Sequence, residues 1–186
     1  DVSKLVAWRH ALHRCPELGF ELSETASYIE RQLRELGIET HSAIGQVGLV
    51  GVLRKGDSDR AIGLRADMDA LKIQVLNTFE YRSKTEGHMH ACGHDVHSAM
   101  LLGAAEALRS LEFDGTVYFI FQPNEEHGLG AQAMIDDGLF DRFPMDAIYG
   151  MHNMPGRPAG QLAMKPGAIM AGEDNFSLTI VGRGGH

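Results

Sequence analysis

Strands alternating with helices along most of the chain predict an α/β domain with a mostly parallel sheet. Three observations carry this reading. Residues 116–121 (Thr-Val-Tyr-Phe-Ile-Phe) are β-branched or aromatic apart from their polar hydroxyls, as in a strand buried on both faces. Residues 96–111 repeat apolar side chains at helical spacing immediately before that strand. Shorter apolar runs bounded by turn residues recur on either side. In order, residues 2–13 read as an amphipathic helix with Leu5, Val6 and Leu12 near one face. Residues 23–36 read as a second helix, with Ser23 as N-cap and Gly37 as its stop. Residues 48–53 and 61–65 read as strands. Residues 96–111 read as the third helix, capped by Asp95 and burying Met100, Leu101, Ala104 and Leu108. Residues 131–137 are helical again, and 147–151 form another strand. Residues 160–164 and 175–181 have strand character without intervening helices, so a change of architecture is expected near residue 172.

The chain has 186 residues, and 17 basic against 25 acidic side chains give a net charge of −8. That balance argues against a nucleic-acid or anionic-membrane partner, which requires clustered Lys and Arg. The longest apolar stretches, such as 47–53, fall far short of the ~18 residues of a membrane span. Cys15 and Cys92 are the only cysteines and make no disulfide framework. With no basic-then-apolar opening segment, the expected location is cytoplasmic. The chain starts without Met and stops at His186 just after an alternating segment, which reads as a piece of a longer protein.

Ten residues are His, and His88, His90, His94 and His97 crowd one short stretch. In open α/β sheets, sites form at the carboxyl ends of strands. Asp67 and Asp69 follow one strand, Glu125 and Glu126 another, and His152 a third. Cys92 and His94 stand just before the clearest helix. Cys92 and His94 are two apart, with Gly93 between them to permit a tight turn. Thiolate and imidazole together suit zinc and related divalent ions. Glu125 and Glu126 are adjacent, so on extended backbone they point opposite ways; one can bind metal while the other handles protons. Simpler readings stay open at this point. Cys92 can be a small buried hydrophobe, the Glu pair a solvated loop, and Asp67 and Asp69 turn or salt-bridge residues. The Gly-rich stretches at 128–130 and 182–185 lack the spacing of a phosphate loop.

Taken in series, the motifs Arg65-Ala66-Asp67-Met68-Asp69-Ala70-Leu71, His90-Ala91-Cys92-Gly93-His94-Asp95, Gln122-Pro123-Asn124-Glu125-Glu126, Gly150-Met151-His152-Asn153 and Gly182-Arg183-Gly184-Gly185-His186 resemble the M20 metallopeptidase family. The similarity is to its amidohydrolase branch, which includes hippurate hydrolase and indole-3-acetyl-amino-acid hydrolases. Residues 12–20 (Leu-His-Arg-Cys-Pro-Glu-Leu-Gly-Phe) resemble that branch's opening. The resemblance implies a three-layer α/β/α catalytic domain, split in sequence, with an inserted α+β lid that also mediates dimerisation. Residues 1–171 would be the first part of the catalytic domain and 172–186 the start of the lid. By the same resemblance, Cys92, His94, Glu126 and His152 would hold two divalent ions (Zn, Mn, Co or Ni). Glu125 would be the general base, Asp69 would orient a ligand from behind, and His186 would reach a substrate. The implied reaction is hydrolysis of the amide of an N-acyl amino acid, a small-molecule substrate, by a homodimer or higher homo-oligomer. Lys72, Cys15 and His127 depart from the family's usual residues, and His127 stands beside the expected base. Two other readings remain: a hydrolase with Cys92 as nucleophile and His94 or His97 as its base, and a non-catalytic binding protein on the same scaffold.

Overall fold

The computed structural model describes residues 2–185. Five strands form one sheet in the order β1-β2-β4-β3-β5. They are β1 (Glu39–Ile44), β2 (Gly48–Lys55), β3 (Ala61–Asp67), β4 (Gly115–Gln122) and β5 (Ala147–Gly150). β2 runs antiparallel to both β1 and β4. β3 runs parallel to both β4 and β5. Four of the five strands therefore point one way, the mostly parallel sheet the alternation predicts.

The helices are α1 (Val2–Arg14), α2 (Ser23–Glu35), α3 (His94–Arg109), α4 (Gly130–Asp136) and α5 (Leu139–Arg142). Successive side chains of β4 face opposite sides. Val117, Phe119 and Phe121 pack with Trp8, Leu12, Ile29, Leu33 and Leu102 of α1–α3. Ile120 and Tyr118 pack with Met134, Leu139 and Phe143, on and just after α4 and α5. Helices thus cover both faces of the sheet, and β4 is central because its sequence is apolar on both.

Local details correct the sequence reading. Ser23 does not cap α2; the Glu17 carboxylate accepts the backbone N–H groups of Thr25 at 2.7 Å and Glu24 at 3.3 Å instead. Gly37 does end it, with φ of +71° and its N–H bonded to the Arg34 carbonyl. Asp95 lies inside the first turn of α3 rather than capping it. Gly93 occupies the N-cap with φ of +103°. The buried face of α3 comprises His94, Asp95, His97, Ser98, Ala99, Leu101, Leu102 and Ala105. Met100, Ala104 and Leu108 are only half-buried. The helix is covered by the sheet on one side and by α1 on another, where Leu5 packs against Gly103, so its burial is rotated and widened. β1 and α5 carry too little apolar periodicity to be read from sequence: β1 buries only Ile44 and α5 only Leu139.

The chain divides into two compact units between Asn153 and Met154. Described residues 154–185 contain no helix or strand and are exposed throughout. The strands expected at 160–164 and 175–181 are therefore absent there. An alternating segment becomes a strand only with a pairing partner, and none of the described residues pairs with either segment.

Candidate metal centre

Parallel β3, β4 and β5 bring their carboxyl ends to one edge. Asp67 ends β3 and Asp69 lies just beyond it. Asn124, Glu125 and Glu126 follow β4, and His152 and Asn153 follow β5. α3 starts at the same edge, with Cys92 and Gly93 leading into His94.

His94 stands at the centre and is almost fully buried. Its Nε2 lies 3.6 Å from Glu126 Oε1, 3.6 Å from Glu125 Oε2 and 3.7 Å from Asp67 Oδ2. Its Nδ1 lies 3.3 Å from Asp69 Oδ1. Cys92 Sγ is 3.4 Å from His152 Nε2. Donor atoms of Cys92, His94 and His152 lie within 4.8 Å of one another, as do those of His94, Glu125 and Glu126, and those of Asp67, His94 and His97. Three sequence-predicted ligands, Cys92, Glu126 and His152, thus lie around the imidazole of the fourth, His94. His186 lies outside the described residues.

Asp69 is fully buried. Its two carboxylate oxygens accept the backbone N–H groups of Glu125 at 3.0 Å and Glu126 at 3.2 Å. One carboxylate therefore fixes the backbone of the Glu pair while standing against the His94 ring. The loop after β4 is compact. Asn124 adopts φ of +47°, its carbonyl accepts the N–H of Gly130, and His127 Nδ1 lies 2.6 Å from Asn124 Oδ1. His127 therefore braces the loop that carries Glu125.

The electrostatics describe a pocket short of positive charge. Burial pushes the Cys92 thiol up, with Glu126, Glu125 and Asp67 adding to it, to about 12. Burial also raises Glu126, with Glu125 and Asp69 reinforcing it against His94. Burial disfavours a charged His94, but the Asp69, Asp67 and Glu126 carboxylates outweigh it and raise its pKa. Burial would likewise raise Asp67, yet its hydrogen bond to His97 and the neighbouring His94 and Arg65 bring it down to about 2. Both His94 ring nitrogens and Glu126 Oε1 are buried without a hydrogen-bond partner. Thiol, imidazoles and carboxylates with unengaged donor atoms fit a thiophilic divalent cation, which would lower the thiol pKa and engage those atoms.

Two features weigh against Cys92 as a nucleophile with His97 as its base. A thiol held near 12 supplies little thiolate, and His97 has both nitrogens engaged, one with Asp67 and one with Asn153. That engagement is what sequence reasoning missed. His97 lies one helical turn after His94, a spacing that puts both on one face, but nothing in the sequence alone pairs it with Asp67.

Residues 63–184 match peptidase family M20/M25/M40. The chain is 50% identical over 178 residues to hippurate hydrolase of Campylobacter jejuni, covering 96% of this chain and 46% of that protein. It is 41% identical over 184 residues to IAA-amino acid hydrolase ILR1-like 5 of Arabidopsis thaliana, covering 98% of this chain and 42% of that one. The crystal structure of Bacillus subtilis YXEP, described as a dinuclear metal binding peptidase of the M20 family, superposes with a TM-score of 0.79. It shares 40% identity, over 84% of this chain and 44% of that one. The chain spans a little under half the length of the relatives it matches. With the convergent donor set and a family match over most of the sequence, the chain belongs to peptidase family M20/M25/M40.

Proposed function

We propose that this chain is the metal-bearing part of an amidohydrolase that cleaves the amide bond of N-acyl amino acids. The observation that carries the reading is the gathering of Cys92, His94, Glu126 and His152 around buried, unengaged donor atoms beside a Glu held by Asp69. The names of the relatives, hippurate hydrolase and IAA-amino acid hydrolase, support an acyl–amino acid amide as the substrate class. Cys92, His94, Glu126 and His152 would hold two divalent ions, chosen among Zn, Mn, Co and Ni; a Cys donor disfavours Mg and Ca. Such ions, when bound, acidify water toward a pKa of ~7 and polarise a carbonyl.

The chain's own residues supply the rest. Glu125 is partly exposed, with a carboxylate oxygen 3.6 Å from His94 Nε2, so it reaches both the donor cluster and incoming solvent. It takes the proton of the attacking water and hands it to the departing amine. Asp69 fixes Glu125 through its backbone N–H, so the base keeps its aim through the cycle. In this reading residues 172–186 begin a lid, His186 steadies the substrate, and the working protein is a homo-oligomer acting on a small molecule. No helix among the described residues is long and apolar enough to cross a membrane.

Glu125→Gln in the full-length protein tests the base directly. The variant is expected to keep its metal and lose turnover by at least ~10²-fold, the usual contribution of a positioned base. Near-normal kcat on N-acyl amino acids would overturn the assignment. Chelator treatment separates this reading from thiol catalysis, which would survive it.

A further inference from the structure

We propose that His97 is a positioning residue, a buried strut from Asp67 to Asn153 that sets where the His152 imidazole stands. The inference rests on the metal-centre reading above and deepens it.

His97 is buried, with Nδ1 2.6 Å from Asp67 Oδ1. The Asp67 carboxylate is itself held by Arg65 at 2.8 Å, and its backbone carbonyl accepts the Ser98 hydroxyl at 2.9 Å. An ionised carboxylate only accepts, so His97 Nδ1 carries the proton and Nε2 is the acceptor. Nε2 takes the Asn153 backbone N–H at 3.1 Å. The Asn153 side-chain Oδ1 position stands 2.6 Å from the same nitrogen, and this tautomer calls for the amide's NH2 group there.

From Asn153 the chain of contacts continues. The Asn153 carbonyl lies 2.6 Å from His152 Nδ1, which donates to it. That leaves His152 Nε2 as the free lone pair, aimed at Cys92 Sγ. The His97 ring also stands against the His152 ring, with centroids 4.4 Å apart and planes at 66°. Asn153 braces the other donor segment as well. A side chain at Gly93, between Cys92 and His94, would drive its Cβ into the Asn153 side-chain amide. Asn153 therefore packs where only glycine leaves room, joining the two donor segments.

His97 lies close enough to His94 and Asp67 to be read as a ligand itself. Its hydrogen bonds exclude that: Nδ1 holds a proton and the Nε2 lone pair faces Asn153. His94, whose ring nitrogens have no hydrogen-bond partner, keeps its lone pair available.

The test uses the full-length protein and zinc. His97→Asn places a donor near the old Nδ1 position and keeps Asp67, but reaches nothing at Asn153. His97→Gln does the reverse. Asn153→Ala, outside the helix, removes only the side-chain brace. Zinc affinity is read by competition with a chromogenic chelator, and stoichiometry by elemental analysis. His97→Asn is expected to bind the same number of zinc ions as wild type, with affinity lowered ~10- to 100-fold, the usual effect of losing a group that orients a ligand. His97→Gln and Asn153→Ala are expected to lose less, and excess zinc to restore most of kcat. Unchanged zinc affinity in all three variants would overturn the strut. Loss of one equivalent of zinc in His97→Asn would also overturn it, by making His97 a ligand. A wild-type protein that takes up no zinc, manganese, cobalt or nickel would overturn the metal reading itself, a result distinguishable from both.

Discussion

Both ring nitrogens of His90 are buried without a hydrogen-bond partner. Burial, helped by His94 and His13 and opposed by Asp95, lowers its pKa from 6.5 to about 4. The unfolded chain therefore binds a proton between those values that the folded protein refuses. Stability from the neutral ring is full above pH 6.5 and is lost as pH falls toward 4, on the order of 3 kcal/mol at the limit. His90→Leu is expected to flatten this loss, read as urea midpoints between pH 7 and 4.5; an identical pH dependence would contradict it. At this scale the side chains that meet at the strand ends were legible in the sequence as candidates. Cys92 and His94 share a face at a spacing of two, and Glu126 and His152 follow apolar strands. Pairings across the chain were not legible. Asp95 suits a helix cap locally, yet its carboxylate meets Arg9 Nε and His13 Nδ1, each at 2.8 Å. Contacts some 80 residues apart override the local preference.

Among the elements, α2 depends on a cap from outside itself. Removing the Glu17 carboxylate exposes two backbone donors, so Glu17→Ala is expected to cost ~1 kcal/mol in chemical denaturation. An unchanged unfolding midpoint would show the cap to be dispensable. The loop after β4 has little slack. A Cβ at Gly130 would fall 1.5 Å from the Pro123 carbonyl oxygen, so Gly130→Ala must displace the backbone leading to Glu125. A shift near 1 Å at a catalytic group lowers turnover by roughly 10²-fold. Reduced kcat is the expected outcome, and unaltered kcat would show that the loop absorbs the change. α1 to α3 and β2 to β4 were readable because each buries an apolar stripe or face, whereas β5 was read from its apolar residues although only Ala147 is even partly buried. β1 was not, since Glu39, Thr40, His41 and Ser42 give it a polar outer edge and its register shifts between His41 and Ile44.

At the scale of the molecule, one mixed sheet with helices on both faces brings three strand ends and one helix start together, and every proposed donor sits at that meeting point. A ligand that binds only the folded form stabilises it by mass action, by about 2.7 kcal/mol at a hundred times its Kd. Zinc is therefore expected to raise the unfolding midpoint of the full-length protein and a chelator to lower it; a midpoint indifferent to both would mean that the metal does not bind the fold selectively. The most direct measurement is anomalous diffraction at the zinc edge from crystals of the full-length protein. The expected map shows zinc about 2.3 Å from Cys92 Sγ, with His94, Glu126 and His152 completing the coordination. A map with no anomalous peak among these four side chains would contradict the account at its centre.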